Sequence, residues 1–313
     1  VYTSRFAVAP EGLDERRRRN AALGPELAGY DAVLGIDGEG WLWAAGPRTI
    51  PYVAFCEAVL VEVLPFEDPG SAALLRAQAE WEGAAARAAE AVVARSDFAA
   101  RRVAEAYAVD RERISTLPIP FDLDAWRTEL PAVAKEPLVL AVGHAYPRKN
   151  YRTLLAAWPA VVRARPEARL VIVGTGPESP ALEAAAAGSP SVSLLGHLPY
   201  AQLLDLYARA SVFCHPSLQE NFGIAIVEGL AAGASVVTHD APAPRENTAG
   251  VPGVWALDAR DAEALAEALV QALDAPAPWP AERLTRLRAK LDPRRVGTAV
   301  RDLLAAVMRR SPA

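Results

Sequence analysis

No apolar run in this 313-residue chain approaches the roughly 18 residues that a membrane-crossing helix needs. The N-terminus shows no secretory signal either. Cysteine is scarce: Cys56 and Cys214 stand far apart and without metal-ligand spacing. That excludes a disulfide framework or a zinc site and suits a reducing cytosol. Histidine is missing from the whole stretch before His144. An excess of positive charge is missing too: the formal net charge is -5, whereas a nucleic-acid footprint is basic. An acidic cluster of metal-binding type is not to be found. These absences point to a cytoplasmic protein with no nucleic-acid partner, no metal site and no resident cofactor.

What is present is a chain long enough for two domains. Hydrophobic residues make up 52% of it and charged residues 23%, which argues for packed cores rather than disorder. Short apolar runs alternate with Ala/Arg/Glu-rich stretches almost throughout, the mark of an α/β protein with parallel sheets. Buried strands are predicted at residues 32–36, 51–55, 91–94, 138–142, 170–173, 191–194, 212–215 and 235–238. Helices are predicted at 70–89, 97–106, 153–164, 179–187, 200–208, 222–232 and 261–273, with two more after the Pro-rich stretch 275–280. Residues 117–137 break the rhythm with Pro118, Pro120, Pro131 and Pro137, and read as a domain linker. The basic run Arg16, Arg17, Arg18 and Arg19 reads as a solvated helix face, with a phosphate or an anionic membrane surface as the alternative partner.

The strongest local pattern is Pro216-Ser217-Leu218-Gln219-Glu220-Asn221-Phe222-Gly223-Ile224, followed by Glu228-Gly229 and Ala231-Ala232-Gly233. A strand ends at His215, a loop carries Glu220, and a helix starts near Phe222. The N–H groups of Asn221, Phe222, Gly223 and Ile224 then lie at a helix N-terminus, a ready site for a diphosphate. Ligands of open α/β sheets bind at the carboxyl ends of the strands, where this loop falls. Two carboxylates also define glycoside hydrolases, which hold them about 5–9.5 Å apart. Eight residues of helix rise about 12 Å, which suits the two ends of an extended nucleotide sugar better.

Two further strand ends carry polar or glycine-rich turns. Leu138 to Val142 runs into Gly143-His144, and the cations Arg148-Lys149 close that loop, placed to compensate a leaving diphosphate. Val171-Ile172-Val173 runs into Gly174-Thr175-Gly176-Pro177. A Gly-x-Gly turn alone is weak evidence. Taken in order, these three segments and the loop at His197 resemble the donor half of the family 4 retaining glycosyltransferases, whose signature has two glutamates separated by seven residues.

That resemblance implies the GT-B architecture: α/β, with two Rossmann-like domains facing a cleft, the N-terminal one shortened. Residues 1–121 would form the acceptor-side domain and 122–291 the nucleotide-sugar domain, with 292–313 as a helix packing back on the first. It further implies transfer of a hexose from a nucleotide diphosphate sugar to a hydroxyl acceptor, with retention and without a metal. Glu220 would orient the sugar, Glu228 would hold the ribose, and Lys149 with Arg148 would stabilise the departing diphosphate. Gly143, His144, Gly174, Gly176 and His197 would border the nucleotide. His144 and Asn150 stand where the family has Arg and Gly. In the first half, Asp37 and Glu57 lie at strand ends and are the acceptor-side candidates, Glu57 being equally readable as a solvent-facing carboxylate. A non-catalytic nucleotide-sugar-binding subunit and a sugar-nucleotide epimerase are the alternative readings.

Overall fold

A computed structural model of the chain describes residues 10–27, 29–275 and 277–310. Two compact units divide it: Val1–Pro120 with Pro293–Ala313, and Phe121–Asp292.

The first unit holds helices α1 (Pro10–Ala21), α2 (Gly24–Leu27) and α3 (Trp41–Ala44) and a parallel sheet in the order β1 (Val33–Ile36), β2 (Tyr52–Cys56), β3 (Ala91–Ala94), β4 (Ile114–Thr116). The central strands β2 and β3 are buried at every residue, because both faces of the sheet are covered. One face packs under α4 (Pro69–Ala88) and α5 (Asp97–Tyr107), through Tyr52, Ala54, Val92, Ala85 and Val103. On the other face Val53, Phe55 and Val93 meet Val307 of the C-terminal helix Pro293–Arg310. Asp68 caps α4 by accepting from Gly70 N–H at 2.9 Å, and Ser96 caps α5 through Ala99 N–H at 3.0 Å. Strand β4 was not expected from the sequence. It is a three-residue edge with one buried side chain, too short to show an alternating pattern.

The basic run needs correcting at one position. Arg16 is buried, not solvated: it donates to Gln78 Oε1 (3.1 Å) and to the Asp37 carbonyl (2.7 Å), and pairs with Glu39. Arg17 and Arg18 are exposed.

The second unit begins inside the segment expected to be a linker. Residues 123–129 form a helix, α6 (Leu123–Glu129), capped by Asp122, which accepts from Ala125 N–H at 2.9 Å. Its prolines flank the helix rather than interrupt it. A six-stranded parallel sheet follows: β5 (Glu136–Val142), β6 (Arg169–Val173), β7 (Val192–Leu195), β8 (Ala210–His215), β9 (Ser235–His239) and β10 (Val254–Leu257). Its spatial order is β10-β9-β8-β5-β6-β7. The chain lays down β5, β6 and β7 in one direction, then returns to the other side of β5 for β8, β9 and β10. This is the doubly wound arrangement, with its topological switch between β5 and β8.

Helices α7 (Tyr151–Ala164), α8 (Ser179–Ala186) and α12 (Ala262–Asp274) bury one face of that sheet. The strands also carry α9 (Tyr200–Arg209) and α10 (Ile224–Ala231); the shorter helices α11 (Pro242–Thr248) and α13 (Thr285–Leu291) follow in the chain. Among the described residues, no helix is long and apolar enough to cross a membrane. Both cysteines are buried and unpaired.

Candidate functional site

The loops after β5 and β8 leave the sheet on either side of the switch, and they carry the residues that the sequence singled out. Gly143 follows β5 with φ +152°, and a Cβ there would lie 3.6 Å from the Lys149 stem. The loop closes at Asn150, whose φ of +58° is left-handed. After glycine, asparagine tolerates that region best. Asn150 also makes two side-chain bonds: its Nδ2 donates to the Ala259 carbonyl at 2.7 Å and its Oδ1 accepts from Thr153 at 2.6 Å.

This folding back brings Arg148 and Lys149 onto Glu220 in the β8–α10 loop. Lys149 Nζ lies 2.5 Å from Glu220 Oε1, His215 Nε2 lies 2.9 Å from the same oxygen, and Arg148 approaches it to 3.8 Å. Burial alone would raise the Glu220 carboxyl, but Lys149, His215 and Arg148 together hold it well below the usual carboxylate range. An ionised carboxylate only accepts, so Nε2 of His215 carries the proton. Burial pulls the imidazole down, against the pull of Glu220, and keeps it neutral. Glu220 Oε2 makes no hydrogen bond among the described residues and reaches solvent. The Arg148 side chain donates no hydrogen bond among the described residues; its guanidinium approaches Glu220 and lies over the Tyr146 ring, 5.9 Å from the centroid.

Helix α10 starts at Ile224, two residues later than expected, because Gly223 takes a left-handed conformation (φ +79°) and turns the chain into the helix. The N–H groups of Phe222, Gly223 and Ile224 have no partner among the described residues. The Phe222 carbonyl is fixed by Asn247 Nδ2 at 2.7 Å, and Lys290 Nζ braces Asn247 at 2.9 Å. Asn221 is buried beside them. One turn on, Glu228 accepts the Tyr207 hydroxyl on Oε2 at 2.7 Å. Burial raises its carboxyl and the Tyr207 bond opposes the rise. Its second oxygen, Oε1, makes no hydrogen bond among the described residues.

At the far side of the switch His144, Thr175 and His197 cluster at the ends of β5, β6 and β7. His197 Nε2 lies 3.0 Å from the Thr175 hydroxyl, His144 Nδ1 lies 3.3 Å from the Thr175 carbonyl, and the two imidazoles meet edge to face at 5.8 Å. Both rings are exposed. The N–H groups of Gly174 and Gly176 are bonded within the protein, to Gly196 O (3.0 Å) and to Ser179 Oγ (3.0 Å). Close packing requires glycine at both: a Cβ would fall 2.2 Å from Gly143 O and 2.6 Å from Ala145 O.

Asp37 and Glu57 belong to the first unit, at the ends of β1 and β2. Asp37 Oδ1 accepts from Glu57 N–H at 2.9 Å, and burial raises its carboxyl to about 6. Glu57 is half-buried, and Arg95 clasps both its oxygens, one bond being 2.7 Å. Among the described residues no group of three His, Cys, Asp or Glu side chains is placed to hold a metal ion. Sequence reasoning missed Tyr207 and His215. His215 adjoins the Pro216-Ser217 pair and could have been singled out there, whereas nothing in the helical pattern around Tyr207 marks it.

Residues 136–275 match the family described as Glycosyl transferases group 1. A GDP-mannose-dependent monoacylated alpha-(1-6)-phosphatidylinositol monomannoside mannosyltransferase of Corynebacterium glutamicum is 31% identical over 176 residues, 54% of this chain and 46% of that protein. A phosphatidyl-myo-inositol mannosyltransferase of Mycolicibacterium smegmatis is 36% identical over 129 residues, 41% of this chain and 33% of that protein. The chain thus spans less than half the length of these relatives. Among solved structures, sucrose-phosphate synthase from Thermosynechococcus elongatus superposes with a TM-score of 0.76 at 22% identity, covering 96% of this chain and 81% of that one. The trehalose 6-phosphate synthase of Burkholderia multivorans gives 0.74 at 18% identity, covering 99% and 79%. Residues 136–275 thus resemble the Glycosyl transferases group 1 family, and the chain shares the α/β fold of these solved structures, which is of the GT-B type.

Proposed function

We propose that the chain transfers a hexose from a nucleotide diphosphate sugar to a hydroxyl acceptor, with retention at the anomeric carbon. The observation that carries this reading is the pair Glu220 and Glu228: each has one oxygen fixed by the protein and the other open, beside the cations Lys149 and Arg148 and a helix N-terminus. Glu220 Oε2 would accept from sugar hydroxyls and Glu228 Oε1 from the ribose diol. Arg148, Lys149 and the N–H groups of Phe222, Gly223 and Ile224 would stabilise the charge that develops as the anomeric C–O bond breaks. The acceptor oxygen bonds to the anomeric carbon and its proton passes to the departing phosphate. Protein groups supply the positive charge, so the scheme calls for neither a metal nor a cofactor. His144 and His197 would border the nucleotide base. The cytoplasm is the compartment we assign, in keeping with two buried thiols left unpaired.

One relative is named for GDP-mannose, so GDP leads the test. A thermal-shift panel of GDP, UDP, ADP and dTDP, repeated on Glu228→Ala, reads the donor site. A ligand at 100 times its dissociation constant adds about 2.7 kcal/mol. One nucleotide should shift the wild type and not the variant. Its hexose conjugate should then be consumed only with a hydroxyl acceptor present. Consumption without acceptor would mean an epimerase or hydrolase, and binding without consumption a binding subunit. A panel with no shift at all would end the donor-site reading.

A further inference from the structure

The two open carboxylates are supported by residues that themselves form one stack. Phe213 and His215 are two apart on β8 and therefore project from the same face of the sheet. Their rings lie nearly parallel, 14° apart, with centroids at 6.2 Å. Tyr207, on α9, also stacks on Phe213, at 5.5 Å and 21°. Trp126 of α6 closes the end of the stack with its edge against Tyr207, at 5.4 Å and 81°. Tyr207, Phe213 and His215 are all buried. One end of this column, Tyr207, donates to Glu228, and the other end, His215, donates to Glu220. The middle ring also sets the helix itself. A Cβ on Gly229, the residue after Glu228, would lie 2.5 Å from Phe213 Cγ, so α10 rests its backbone directly on that ring.

We propose that Tyr207, Phe213 and His215 are positioning residues that fix the separation and aim of Glu220 and Glu228, so that their open oxygens meet the two ends of one nucleotide sugar. The column acts through the glutamates and touches no donor atom. Core packing alone would explain buried aromatic rings. It does not require that the polar tips at the two ends each meet one of the two donor-facing carboxylates. The groups that face Glu228 are the neutral phenols Tyr207 and, further out, Tyr200, both on α9. Those that face Glu220 are Lys149, Arg148, His215 and the phenol of Tyr151. Removing the Tyr207 hydroxyl therefore takes away the one hydrogen bond that favours ionised Glu228.

This inference rests on the donor-site reading, and the experiment separates the two. Calorimetric titrations with GDP and GDP-mannose, then UDP and UDP-glucose, are run on the wild type, Tyr207→Phe, His215→Leu and His215→Gln. Tyr207→Phe keeps the ring and loses only the hydroxyl. It should weaken nucleotide and nucleotide sugar alike by about tenfold, the weight of one hydrogen bond to a charged group. The acid limb of its binding profile should move to higher pH, because the hydrogen bond that opposes the rise of the Glu228 carboxyl is lost. His215→Leu should weaken the sugar conjugate about tenfold and leave the bare diphosphate unchanged, since Glu220 serves the sugar. His215→Gln, which keeps a donor near the Nε2 position, should restore most of that loss. Circular dichroism and melting temperature check that each variant folds, and the His215 pair carries the test if Tyr207→Phe does not. A folded Tyr207→Phe that binds as the wild type does at every pH overturns the proposal. So does a His215→Leu that loses both ligands equally. In either case binding lost in Glu228→Ala keeps the donor site standing. A wild type that binds neither pair overturns the donor site and, with it, this inference.

Discussion

Lys149 Nζ and Glu220 Oε1 meet at 2.5 Å although 71 residues separate them in the chain, because β5 and β8 are neighbours and their loops fold toward each other. Both side chains are nearly sealed, at 12% and 13% exposure. Removing one partner of a buried pair costs about 3–5 kcal/mol, of which His215 and Arg148, still beside Glu220, offset a part. Lys149→Met should therefore lower stability in urea at pH 7 by that order, and Glu220→Gln on the same background should recover a large part of it. The sign of the pH dependence follows from the depressed Glu220 carboxyl. The stabilisation is present above the ordinary carboxylate range and is lost as pH falls toward the folded-state value. In Glu220→Gln that acid-side loss should be smaller than in the wild type. Additive effects of the two substitutions would show that the pair does not act as a unit.

Asn150 gives a prediction that separates backbone from side chain. Its left-handed φ of +58° is easy for glycine and costs an alanine about 1–2 kcal/mol. Asn150→Gly loses the bonds to Ala259 and Thr153 but keeps the loop. Asn150→Ala loses both bonds and strains the turn. Denaturant melts should rank the wild type above Gly and Gly above Ala. The last step should be about 1 kcal/mol. An alanine variant as stable as the glycine variant would mean that the loop opens at no cost.

Most of the fold was legible where burial is two-sided. Strands such as Val92-Val93 and Val139-Leu140-Ala141 are continuous apolar runs because helices cover both faces. Strands β4 and β10 were missed because an edge strand of three or four half-buried residues leaves no period to read. Lys149, Arg148 and Glu220 could be singled out because they lie in loops at strand ends, and Glu228 because it follows in the helix that the second loop opens. Tyr207 was not, since a tyrosine on the inner stripe of a helix looks like core until its hydroxyl is seen on Glu228. Charge runs hide geometry in the same way. Arg16 differs from Arg17 only in the side of α1 that it occupies, and Glu57 finds Arg95 across 38 residues of chain.

Glu82 offers a pH-dependent test of the first unit. It sits at 1% exposure on α4, accepts Leu60 N–H at 2.8 Å and the Tyr107 hydroxyl, and has its other oxygen, Oε1, sealed without a partner. Burial raises its carboxyl to about 7, with the Tyr107 bond opposing. A folded value above the unfolded one means that the native state binds more protons in between. The stabilisation is fully present below about 4.5 and is lost as pH rises through about 7. Asp37, raised to about 6, adds a loss of the same sign slightly earlier. Melting temperatures between pH 4.5 and 8 should therefore fall less steeply for Glu82→Gln than for the wild type. Parallel curves would show that Glu82 stays ionised in the fold.

Gly174 decides whether the Gly-x-Gly turn serves packing or a ligand. Its φ is +124°, and a Cβ would lie 2.2 Å from Gly143 O and 2.8 Å from Gly143 C, both backbone atoms that cannot rotate away. Gly174→Ala must therefore push the β6 loop off the β5 loop, which carries His144 and, further on, Lys149. The cost combines left-handed strain with a lost backbone approach, about 2–3 kcal/mol or more. Because the displaced loop also bears the cations, nucleotide affinity should fall in the same variant even though residue 174 has no free N–H to offer a ligand. Gly188→Ala is the control: its φ is +81°, so the strain is similar, but a Cβ there meets nothing within 4 Å. Urea melts and titration with the diphosphate that the panel selects would compare the two. Equal losses of stability with unchanged affinity in both would reduce Gly174 to a matter of backbone strain. A loss of affinity confined to Gly174→Ala would tie the spacing of the two loops to the donor site.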